Sequence, residues 1–139
     1  MLFIPDTLAP LTILQSEGYA VSTFAAGSIP QTADLPKGTL RILFLNIMPE
    51  KERTELDIAR MMAAQHYDVA LLPMGGVFTM DARQAALACK LLGCKQVIPM
   101  HWGTFPVLAQ DTEAFKAELA RVAPGCTCID LLPGQSVQI

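Results

Sequence analysis

The sequence predicts an α/β layered domain whose sheet is mostly parallel, with helices on its faces, and three observations predict it. From Leu40 onward, short apolar runs alternate with stretches of helical periodicity. The runs are rich in Val, Ile, Leu and Phe and carry almost no charge, as strands covered on both sides do. The segments between them are long enough for helical crossovers, which parallel neighbours require and hairpins do not.

Taken in order, residues 41–48 (RILFLNIM) read as the first strand of this series. Residues 52–65 follow with Leu56, Ala59, Met62 and Ala63 at helical spacing and charged residues opposite. Residues 67–74 (YDVALLPM) form a second buried-strand pattern, closed by Gly75-Gly76. Residues 81–92 place Ala82, Ala85, Ala86, Cys89 and Leu92 on one helical face, with Gly93 where a C-terminal cap belongs. Residues 96–100 make a third strand. Asp111 is placed to cap a helix carrying Phe115, Leu119 and Val122 on one face, ended by Pro124-Gly125. Residues 127–132 and 136–139, separated by Pro133-Gly134-Gln135, make a closing pair of short strands that can form an antiparallel hairpin at the sheet edge. Four to six strands are expected in all.

Residues 1–37 differ in character. Pro5, Pro10, Pro30 and Pro36 interrupt them, and they read as an N-terminal arm packed on the domain formed by 38–139.

The totals exclude several function classes. At 139 residues and 52% hydrophobic content the chain can bury a real core. A net charge of −3 provides no electrostatic footprint for nucleic acid or an anionic membrane. No apolar run is long enough to span a bilayer, and the N-terminus lacks the basic region and cleavage site of a secretory signal. The four cysteines are therefore expected as reduced, mostly buried thiols of a cytoplasmic protein. A four-thiolate zinc site from Cys89, Cys94, Cys126 and Cys128 is the alternative, although the spacing matches no usual zinc ribbon or knuckle.

Two stretches carry family resemblances. Within residues 57–139, Gly-Gly-x-Phe-Thr-Met at 75–80 and Pro-Met-His-Trp-Gly-Thr-Phe-Pro at 99–106 resemble the C-terminal part of metal-dependent hydrolases of the metallo-β-lactamase fold. Pro133-Gly134-Gln135-Ser136-Val137 resembles the last strand of that family. The resemblance implies hydrolysis of an ester, lactone or phosphoester with divalent metal, zinc or manganese, and it makes His101 the family's final metal ligand. The family's His-x-His-x-Asp-His loop has no counterpart here, since His66 and His101 are the only histidines. A catalytic zinc site normally needs three protein ligands, so the resemblance implies a relative that is inactive alone.

Residues 4–56, above all Leu40-Arg41-Ile42-Leu43-Phe44-Leu45-Asn46-Ile47-Met48-Pro49, resemble the start of homoserine O-acyltransferases of the succinyl or acetyl kind. That resemblance implies an acyl-donor contact at Lys51, but the family's later Cys and His-x-Glu are not found. Two partial resemblances meeting near 55–66 imply a fusion of fragments, and a third reading is a structural or designed fusion protein without catalysis.

Gly75 and Gly76, with Thr79 capping the next helix, can be read as a small anion site or as a tight turn, and the turn is favoured. His66 reads as a solvated helix-end residue. Trp102, Phe105 and Phe78 can wall a pocket beside His101, although aromatic residues at strand ends are more often core. An apolar chain with the missing halves of two folds is expected to expose patches that drive homo-oligomerisation.

Overall fold

The computed structural model describes residues 66–139 continuously, together with 2–3, 22–23, 42–44, 57, 59–60 and 63. Among the described residues, six strands form one sheet: β1 (Leu2–Phe3), β2 (Ser22–Thr23), β3 (Ile42–Phe44), β4 (Val69–Pro73), β5 (Gln96–Met100) and β6 (Thr127–Cys128). Their spatial order is β2-β1-β3-β4-β5-β6, and every pairing is parallel. Two helices belong to the described residues, α1 (Ala82–Leu92) and α2 (Glu113–Val122).

The predicted fold class is the one observed, an α/β layered arrangement on a parallel sheet. The closing hairpin is a correction. Residues 135–139 form no strand, and β6 pairs parallel with β5 instead. The physical reason lies in the sequence after β6: Leu132 to Ile139 are all exposed, so Ser136 to Ile139 find no apolar layer to settle on. A turn there is closed by the Gln135 N–H donating to the Leu132 carbonyl at 3.0 Å.

Strands β4, β5 and β6 step in one direction across the sheet. Right-handed crossovers therefore put α1 and α2 side by side on one face. Register then decides the core. Ala70 lies beside Val97 and Leu72 beside Pro99, so these four side chains share the helix-covered face. Against them pack Ala85, Ala86, Ala88, Cys89 and Leu92 of α1 and Phe115 and Leu119 of α2, with Leu43 of β3 and Ala59 completing the cluster. The alternating burial of β5 follows from the same pleat, with Val97 and Pro99 buried while Gln96, Ile98 and Met100 are half-exposed.

Both helix ends are specified locally. Asp81 accepts the Gln84 N–H at 2.7 Å, and the Gln84 side chain accepts the Asp81 N–H at 3.1 Å, a reciprocal capping box. Thr79 is therefore not the cap of α1, a second correction. Gly93 ends α1 in the left-handed region, as its position predicts. At α2 the Asp111 carboxylate accepts the Glu113 N–H at 3.0 Å, although Thr112 occupies the cap position.

The chain after β6 is fastened to α2 by Asp130, which pairs with Lys116 and accepts from the Cys128 thiol at 3.3 Å. Partial burial pushes the Asp130 carboxyl up, but Lys116, Thr112 and Cys128 together hold it below its ordinary value of 3.8.

Candidate functional site

In a parallel sheet the loops that follow the strands gather at one edge, which is where α/β proteins place their sites. Two such loops meet here, residues 74–81 after β4 and 101–112 after β5. They are fastened to each other by backbone: Ala109 N–H donates to the Gly75 carbonyl at 3.0 Å, and Met74 N–H donates to the Met100 carbonyl at 2.8 Å.

His101 sits directly after β5, exposed, with φ of 72°. A side chain with a Cβ rarely adopts this left-handed conformation, and it costs about 1 kcal/mol or more. The surroundings hold it there. Thr104 Oγ1 donates to the His101 carbonyl at 2.6 Å, Trp102 Nε1 donates to the Pro99 carbonyl at 3.1 Å, and Gly103 N–H donates to the Ala109 carbonyl at 2.8 Å. His101, Trp102, Gly103 and Thr104 form one wall of an open cleft of about 610 Å³, and Leu131 to Gln135 form the other. Trp102 is half-buried and lines this cleft, whereas Phe78 and Phe105 are exposed and not among its lining residues.

The glycine pair does not make an anion cradle. Gly75 N–H is taken by Thr79 Oγ1 at 2.9 Å and by the Met80 carbonyl at 3.2 Å, and the same carbonyl takes Gly76 N–H at 3.1 Å. Both donors are consumed in closing a turn, which Gly76 enters with φ of 92°. Thr79, expected to cap a helix, serves this turn instead. Lys51, the expected acyl-donor contact, lies outside the described residues.

The two histidines are not brought together. His66 precedes β4 and its backbone N–H donates to the Leu92 carbonyl at 3.1 Å, so it lies at the opposite edge of the sheet from His101. Strands of five residues separate those edges by roughly 16 Å. Among the described residues, no group of three or more His, Cys, Asp or Glu side chains that could share a metal ion includes His101. The donor set at this edge therefore does not by itself fit a metal centre.

The group that does converge is Cys89, Cys94 and Cys126, whose sulfurs all lie within 4.8 Å of one another. The sequence offered these three together with Cys128, but the Cys128 thiol points to Asp130 instead. Cys94 Sγ and Cys126 Sγ are 3.5 Å apart, and all four cysteines are free. The S–H groups of Cys126 and then Cys89 hold the Cys94 thiol down at about 4, against burial. Cys89 pulls Cys126 down, but the Cys94 sulfur and burial together leave it up at about 12. Cys89 is pushed well above the ordinary thiol range by the hydrogen bonds of Cys126 and Cys94 and then by burial. The three sulfurs thus titrate as a group in which the first proton is lost easily and the rest with difficulty.

Comparison with known proteins bears on the first of these two places. The family model described as the beta-lactamase superfamily domain matches residues 52–101, a stretch that ends on His101. A UPF0173 metal-dependent hydrolase of Nitratidesulfovibrio vulgaris is 61% identical over 72 residues, 52% of this chain and 30% of that protein. A metal-dependent hydrolase of Lawsonia intracellularis is 56% identical over 71 residues, 51% of this chain and 31% of its own length. Among solved structures, Igni18, a metallo hydrolase from the archaeon Ignicoccus hospitalis, is 39% identical with a TM-score of 0.51 over 57% of this chain and 34% of its own. The chain thus spans about a third or less of the relatives it matches. The acyltransferase resemblance of residues 4–56 has no counterpart among these relatives. The stretch that builds β4, α1, β5 and His101 is accordingly similar to metal-dependent hydrolases of the beta-lactamase superfamily.

Proposed function

We propose that this chain carries the segment of a metal-dependent hydrolase that delivers one imidazole ligand, His101, and that it does not hydrolyse substrate by itself. The observation that carries this reading is the left-handed backbone of His101 at the end of β5, inside the stretch similar to metal-dependent hydrolases. A strained non-glycine residue at a strand end is tolerated where the side chain has work to do, since glycine would fit the backbone at lower cost. The relatives support metal-dependent hydrolysis; an ester, lactone or phosphoester as the bond attacked by water, with a divalent metal, is what the sequence resemblance implies. The other ligands such chemistry needs are not gathered around His101 among the described residues, so no catalytic step is assigned to this chain alone.

The same edge exposes Val77, Phe78, Phe105 and Val107 on the two loops beside His101. Apolar side chains gathered around an incomplete site suit a surface that further protein covers, whether another part of a hydrolase or a second copy of this chain.

The test is a hydrolysis assay on nitrophenyl ester, lactone and phosphodiester substrates with added zinc or manganese. The expected result is turnover no higher than the metal in buffer alone. Turnover that disappears in His101→Gly would overturn the claim of inactivity. The same variant tests the strain: His101→Gly is expected to raise the unfolding free energy by about 1 kcal/mol, read from urea denaturation. A loss of stability would show that the imidazole is there for packing.

A further inference from the structure

Outside the His101 edge, the Cys89, Cys94 and Cys126 thiols are three nucleophilic, metal-ligating side chains for which the reading above has no use. Their convergence is built by the fold. Cys89 faces inward from the last turn of α1, packed among core residues. Gly93 then turns the chain through the left-handed region, and Cys94 N–H donates back to the Cys89 carbonyl at 3.4 Å, which lays the second thiol against the first. Cys126 arrives from the other side. The Pro124-Gly125 turn is closed by its N–H on the Ala123 carbonyl at 2.9 Å, and Thr127 N–H on the Lys95 carbonyl at 2.9 Å fixes its register beside Cys94.

We propose that Cys89, Cys94 and Cys126 form a binding site for one thiophilic d10 cation, zinc or copper(I), separate from the edge that carries His101. Metal–sulfur bonds of about 2.3 Å place three sulfurs around one ion at roughly 3.8–4.0 Å from each other. The present separations, all within 4.8 Å and 3.5 Å for the Cys94–Cys126 pair, already bracket that spacing. Three soft thiols with no carboxylate among them select zinc or copper(I) over the oxygen-preferring magnesium, manganese and calcium. Three sulfurs complete a trigonal copper(I) site and leave a fourth position on zinc for water or an added thiol. Cys126 is only half-buried, which gives an ion a way in. On binding, each thiol that still holds its proton releases it to solvent as the metal–sulfur bond forms. The site lies where β5 begins and His101 where it ends, so the two places are independent.

Cadmium is the probe, because its thiolate complexes absorb in the ultraviolet by charge transfer. Reduced, metal-free protein titrated with cadmium without air is expected to develop such a band that saturates at one ion per chain. Thiol counting with a chromogenic disulfide reagent should then fall from the 4 cysteines of the chain to one, Cys128. Cys126→Ser should weaken binding at least 100-fold, and Cys94→Ser likewise, whereas Cys128→Ser and His101→Ala should leave the titration unchanged. No band with the reduced protein, four reactive thiols at saturation, or full binding by Cys126→Ser would each overturn the proposal. The thiol count needs no variant, so the result does not depend on whether a substituted core cysteine folds.

Discussion

Phe115→Ala lowers the unfolding free energy by about 3–5 kcal/mol, the range for deleting a buried phenylalanine ring from a packed core. Phe115 is 1% exposed and heads the fully buried side chains by volume. It sits on α2, where it packs into the same cluster as Ala85, Ala86 and Ala88 of α1. Those three alanines let the helices approach closely, and their shortness means that they cannot fill the void the ring leaves. A domain of this kind has about 5–15 kcal/mol in total, so the variant sits near the folding limit at the lower end. The check is urea denaturation followed by circular dichroism, with Leu132→Ala as the control. Leu132 is more than half exposed, and its truncation should change stability by no more than about 0.5 kcal/mol. Equal effects from the two variants would mean that α2 is not docked as described.

The core was legible in the sequence because its signals are local. The run 96–100 and the helical face of 82–92 follow from side-chain period, and Gly93 follows from the need for a left-handed cap. The strand predicted over 127–132 shortened to Thr127–Cys128 because pairing depends on the neighbour: β5 runs on to Met100, but Pro99 has no N–H to continue the ladder, and Asp130 is drawn aside by Lys116 and Cys128. The site was legible only in part. Pro99-Met100-His101 marked the right edge through its resemblance, but no sequence pattern announces that His101 is left-handed or that His66 lies a full strand length away. The glycine pair left an anion site open beside the favoured turn for a related reason. Two free N–H groups and two consumed ones look alike in sequence, and here Met80 and Thr79 consume them. The three thiols needed the register of β5 on β6 before Cys126 could be placed beside Cys94 and Cys128 left out of the group.

Gly93→Ala is expected to cost about 2 kcal/mol and, where the chain relaxes at residue 93, to dismantle the thiol group at the same time. Gly93 has φ of 61°, and an L side chain in that region costs about 1–2 kcal/mol. Space adds to the strain: a Cβ at this position would stand 2.7 Å from His66 Nδ1 and 3.3 Å from its Cε1. His66 itself has φ of 53° and is held by its N–H on the Leu92 carbonyl at 3.1 Å, so its ring must swing out rather than its backbone. If the chain instead relaxes at residue 93, Cys94 leaves the Cys89 carbonyl to which both its N–H and its thiol donate, at 3.4 and 3.7 Å. Either route separates the variant from a simple cavity. Denaturation should show the loss with an unchanged m-value, because the folded core is intact. Cadmium titration of the folded variant should show weakened binding only if the backbone, not His66, has moved. The double variant His66→Ala with Gly93→Ala distinguishes the two, since removing the ring relieves the contact and leaves the left-handed cost alone. Recovery of part of the loss would assign that part to the ring. Stability of Gly93→Ala equal to the parent protein would mean that the helix does not end on a left-handed residue, and the placement of Cys94 beside Cys89 would fall with it.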